Sequence, residues 1–170
     1  MDGVKAAVLL FVASLLQMSV LGEYPPFRSA SIVLVALLAV SLLRGSVFGA
    51  VAGFGTGLLL DTATLGTLGV TSLLLTIAGF WIGRYGETTA RDRFHAPYLS
   101  VAVVTILYAY GQILLRFVLG ESAAAGTVTH ELPAALLLNL LLTVPVYGLI
   151  RRLFPPAEHL DRVREVRLLG

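Results

Sequence analysis

Apolar residues run through this sequence in long stretches broken by short polar clusters. Charge-free segments cover residues 6–22, 29–43, 45–60, 62–83, 94–115 and 132–150, about two-thirds of the chain. A water-facing surface needs polar positions at every turn, so segments of this kind belong in a membrane. A helix needs about 20 residues to cross a hydrocarbon core of about 30 Å, with a working range of about 17–25. The first, fourth, fifth and sixth segments meet this requirement. Segments 29–43 and 45–60 are individually short, and only Arg44 separates them. Fused, they would make a helix of roughly 48 Å, too long for one crossing. Two helices turning tightly at Leu43-Arg44-Gly45-Ser46 fit better, with Arg44 reaching the interface by its long stem. The expectation is an all-α integral membrane protein with six transmembrane helices at about 6–22, 29–43, 45–60, 65–83, 96–115 and 132–150. They form one domain over residues 1–154, with four or five spans as the fallback, and residues 155–170 make a cytoplasmic tail.

Composition agrees with this reading. The chain is 57% hydrophobic and 13% charged, with a mean hydropathy of +0.89. Soluble domains carry about 25% charged residues, so almost nothing is left over for a soluble catalytic domain. Cysteine is absent, which excludes disulfides, thiolate metal sites and cysteine nucleophiles. The net charge of +2 reads as the arginine excess of a cytoplasmic face, because no basic stripe interleaved with aromatics suggests nucleic acid. With the N-terminus inside, Lys5, Arg44, Arg84, Arg91, Arg93, Arg151, Arg152, Arg162, Arg164 and Arg167 fall on the cytoplasmic side. Only Arg28 and Arg116 fall outside, so ten of the twelve basic residues share one face and both termini are expected in the cytoplasm. Val20-Leu21-Gly22 is a passable signal-peptide cleavage site, but the length of the first segment favours a span.

Within the spans, Gly45, Gly49, Gly53 and Gly57 repeat at period four, and Gly79 with Gly83 repeats the spacing in the fourth. Four residues on a 3.6-residue helix drift by only about 40°, so these glycines form one groove. Such a groove lets a second backbone approach closely. It either packs the protein's own helices or seats a partner helix through Gly49, Gly53 and Gly57. Asp61 ends the third span and Arg116 closes the fifth on the same side, so a pair between them can fix the outer end of that seat. Gln17, Gln112 and Asn139 fall in the outer halves of their spans. They either hydrogen-bond between helices or line an outward-open cavity. Pro133 is expected in the first turn of the sixth span, where its missing N–H costs nothing, and Pro145 should kink it. In the tail, Leu160, Val163, Val166 and Leu169 fit a short interfacial helix with arginines facing headgroups, and a frayed tail fits equally.

No catalytic constellation is present. His95, His130 and His159 lie in different loops, none beside another ligand at metal spacing, so neither metal nor cofactor is expected. The sequence contains no Walker motif, HExxH or GxSxG, and Gly53-Phe54-Gly55-Thr56-Gly57 lacks the strand that a dinucleotide fingerprint follows.

The stretch from Leu42-Leu43-Arg44-Gly45-Ser46 through the glycines to Gly57-Leu58-Leu59-Leu60-Asp61 resembles the pattern of the rod shape-determining protein MreD family. The loop Gly66-Thr67-Leu68-Gly69 and the end of the fourth span, Gly79-Phe80-Trp81-Ile82-Gly83-Arg84, continue the likeness. The chain length and six-span layout agree, although only residues 42–84 are distinctive. The resemblance implies a bacterial inner-membrane scaffold of the elongasome, without enzymatic activity, that acts beside MreC. It also implies work alongside MreB and the RodA–penicillin-binding-protein synthase, and a fold similar to the substrate-binding subunits of energy-coupling-factor vitamin transporters. The sequence leaves a homo-oligomer open. The competing function is a small-molecule (vitamin-type) binding subunit of a transporter, using Gln17, Gln112 and Asn139 in a closed pocket of several hundred Å³.

Overall fold

In a computed structural model, residues 2–17, 19, 31–64, 67–88, 96–120 and 124–153 are described. They form six helices: α1 (Asp2–Leu16), α2 (Ile32–Arg44), α3 (Ser46–Ala63), α4 (Val70–Thr88), α5 (Ala96–Val118) and α6 (Ala124–Leu153). The candidate cleavage site, Arg28, Gly66, Arg91, Arg93, His95 and the tail 155–170 lie outside the described residues.

The centre of the bundle is α2. Its ten residues from Val33 to Leu42 are all buried, and it touches each of the other five helices. A helix that is apolar all round finds no stable place except one enclosed by protein or lipid. The surrounding helices are one-sided. Val47, Val51 and Phe54 on α3, Leu107 and Leu114 on α5, and Leu137 and Leu141 on α6 all point outward as bare apolar surface. That is the surface expected where the solvent is lipid.

Among the described residues, three helices are both long and apolar enough to cross a membrane, within Ser46–Ala63, Pro97–Val118 and His130–Leu153. With 13 residues, α2 reaches only about 20 Å. It parts from α3 at Gly45, whose φ of 96° suits a residue without Cβ and ends one helix while starting the next. One expectation is corrected. Helix α6 starts at Ala124, so Pro133 is interior to the helix together with Pro145, not in its first turn.

Candidate functional site: a glycine-packed hairpin with reciprocal carboxylate caps

The period-four glycines face α4. A Cβ added at Gly49 would overlap the Gly79 carbonyl, one at Gly53 the Leu75 carbonyl, and one at Gly57 the backbone of Ser72. On the opposing helix, Gly79 meets Gly49, Gly83 meets Gly45 and Gly86 meets the Leu42 carbonyl. The groove is therefore filled by the chain's own next helix. Two backbones lie in direct contact along their length, the geometry that small residues permit in a membrane. The Ser72 hydroxyl donates across this contact to the Phe54 carbonyl at 3.0 Å. Gly55, one residue off the ridge, has nothing within 4 Å of its would-be Cβ.

Each end of the hairpin is closed by a carboxylate. In the last turn of α3, Asp61 accepts from the backbone N–H groups of Gly69 at 2.8 Å, Thr71 at 3.1 Å and Ser72 at 3.1 Å. These belong to the set of donors that the start of α4 cannot satisfy internally. In the last turn of α4, Glu87 does the same for α3. Its Oε1 accepts from the Ser46 N–H at 2.7 Å, and the Ser46 hydroxyl donates to both carboxylate oxygens. In an antiparallel pair, the end of one helix lies beside the start of the other. A carboxylate unfavourable to its own dipole is then stabilised by its neighbour's free N–H groups. Hydrogen bonds from Ser46, amide first and hydroxyl second, hold Glu87 below its ordinary pKa, helped by Arg84 at 3.5 Å. Glu87 was missed in the sequence because it stands in a segment that reads as a basic loop. The available signal was an acid at the end of the returning helix, 41 residues after Ser46.

The remaining polar candidates separate into two groups. Asn139, almost fully buried, accepts from the Ser31 N–H at 2.8 Å and donates to the Thr105 hydroxyl at 3.1 Å. Gln17 accepts from the Val33 N–H at 3.0 Å. Ser31 caps its own helix through the Leu34 N–H. Gln17 and Asn139 thus complete the start of α2, where water is excluded and unpaired N–H groups would be costly. Gln112 lies apart from them, donating to the Tyr108 hydroxyl at 3.0 Å and accepting from Arg116 Nε at 3.3 Å. Asp61 is engaged with α4, and Arg116 turns back along α5. A cavity of about 10 Å³ between α2, α5 and α6, bordered by Leu38, Ser100, Val101 and Thr143, has room for about one water. Among the described residues, no three histidine or acidic side chains gather to hold a metal ion.

The arrangement supplies rigidity. It offers a short helical hairpin fixed along its length and at both ends, with one apolar face turned outward. Compared with known proteins, residues 5–154 match the family model for rod shape-determining protein MreD. No curated protein and no solved structure gives a match. The match spans far more than half of a chain whose glycine hairpin carries the distinctive pattern, and the chain belongs to the MreD family of rod shape-determining proteins.

Proposed function

We propose that this protein is a non-enzymatic scaffold of the bacterial elongasome, one that binds MreC and helps regulate cell shape and lateral peptidoglycan synthesis. Membership of the MreD family supports the rod-shape-determining role. In this reading the chain crosses the inner membrane six times with both termini cytoplasmic, supported by the six helices and the one-sided basic residues. The same helix count is what supports a fold like the substrate-binding subunits of energy-coupling-factor transporters. MreB and the RodA–penicillin-binding-protein pair are further partners, reached directly or through MreC, and self-association belongs to the same reading.

The observation that carries the proposal is the clasped α3–α4 hairpin. Gly49, Gly53, Gly57 and Asp61 give it a fixed shape, Arg116 stands on the neighbouring α5, and Val51, Phe54 and Leu58 present an exposed apolar ridge. A rigid ridge docks a partner helix at less entropic cost than a flexible one. Photo-cross-linking amino acids placed at Val51, Phe54 and Leu58 should capture MreC in native membranes. Capture only from Leu107 and Leu114 on α5, or from neither helix, would sink the docking assignment.

A further inference from the structure

Several buried hydroxyls in this bundle turn back on their own helices. Those of Ser14, Ser41 and Thr143 donate to the carbonyls four residues earlier, Leu10, Leu37 and Asn139, at 2.8, 2.7 and 2.7 Å. A helix interior always offers a hydroxyl that local bond. Ser100, near the start of α5, does not take it. The residue is buried, and its Oγ has no hydrogen-bond partner among the described residues. A hydroxyl enclosed in this way gives up the bonds water makes to it in the unfolded chain, and native proteins leave few such groups unpaired.

Ser100 borders the cavity of about 10 Å³ between α2, α5 and α6, and Thr143 borders it from α6. Helix register brings the two to one level. The antiparallel α5 and α6 are joined where Asn139 donates to the Thr105 hydroxyl at 3.1 Å. From that pair, five residues back along α5 reach Ser100 and four residues on along α6 reach Thr143. Those steps are about 7.5 and 6 Å in the same direction. Thr143 donates its one proton to the Asn139 carbonyl, so its oxygen can only accept a further bond. Ser100 brings both a proton and lone pairs. The rest of the wall is mostly apolar, with Val35, Leu38 and Val101 in it. A buried water needs about 10–15 Å³ of such space and at least two polar partners. Both conditions are met.

We propose that this cavity is a built water site, in which one internal water accepts from the Ser100 hydroxyl and donates to Thr143 Oγ1. The water joins α5 to α6 little more than one turn from the direct Thr105–Asn139 bond and rests against α2. The two helices are then held together by two polar links, one direct and one through water. Asn139 also accepts from the Ser31 N–H, so the same string of bonds reaches the start of α2.

The test uses the full chain. A crystal structure of the wild type grown from lipidic cubic phase should show one ordered water about 2.7–3.0 Å from both Ser100 Oγ and Thr143 Oγ1. Thermal melts in detergent of Ser100→Ala, Thr143→Val and the double variant measure what that water contributes. Each single variant removes one partner and strands the other, so each should melt about 2–4 °C below wild type. The double variant leaves no hydroxyl stranded and should melt no lower than either single variant. Ordered density at the site together with this non-additive pattern supports the proposal. A wild-type structure with no water there, and the Ser100 hydroxyl turned onto the Ala96 carbonyl, overturns it even if a variant fails to fold. A higher melting temperature for Ser100→Ala also overturns it, because the hydroxyl was then unpaired in a dry cavity. Additive losses in the double variant overturn the bridge, since the two hydroxyls then share no water.

Discussion

At the residue scale, two carboxylates do the same capping work in different surroundings, Asp61 buried and Glu87 partly exposed. Asp61 is 2% exposed and holds three backbone N–H groups. Removing an acceptor strands each buried donor at about 1–3 kcal/mol, so Asp61→Ala should lose about 3 kcal/mol or more in thermal unfolding in detergent. Asp61→Asn, which retains one acceptor oxygen, should lose less. Glu87 lies at the hairpin's other end, past the expected membrane span, where pH is a usable handle. Its folded pKa is lowered from 4.5, chiefly by the Ser46 amide and hydroxyl. A depressed pKa means its contribution is fully present above 4.5 and fades as pH falls through the lower folded value. The difference in melting temperature between wild type and Glu87→Gln should therefore be constant near neutral pH and close in acid. A gap that widened in acid would contradict the capping role.

At the element scale, the hairpin is decided by where glycine is obligatory and where it is incidental. Gly53 and Gly55 are two residues apart on one helix, and only Gly53 lies on the period-four ridge. Gly53→Ala drives a Cβ into the Leu75 carbonyl and should cost about 2 kcal/mol, an ordinary overpacking penalty. Gly55→Ala meets nothing, and should be neutral or gain up to about 1 kcal/mol from helix propensity. Thermal melts of the two variants side by side measure the contrast directly. The period-four spacing was legible in the sequence as a groove, because 3.6 residues per turn makes it one. What filled the groove was not legible, since any close backbone satisfies the same spacing. The α6 start illustrates the converse. Pro133 looked like a helix start, but proline is tolerated inside a membrane helix whose neighbours satisfy the freed carbonyl, and the helix begins nine residues earlier, at Ala124.

At the scale of the whole molecule, α2 organises the rest. Its backbone amides from Val35 to Leu42 are enclosed by five helices and should be the last to exchange with deuterium, while the exposed ends of α1 and α6 exchange first. Simultaneous exchange across all six helices would show that the bundle has no such centre. The sequence by itself determined that the chain is a helical membrane protein, that Arg44 and Gly45 divide two helices, and which family it belongs to. Those properties are written in local composition, local length and local spacing, and no distant residue alters them. Only the tertiary structure decided that Gln17 and Asn139 finish the start of a buried helix, that α4 occupies the glycine groove, and that Glu87 answers Asp61 across the hairpin. Each depends on bringing together residues far apart in the chain. A side chain's hydrogen-bonding capacity is set by its type, but its partner is set by packing.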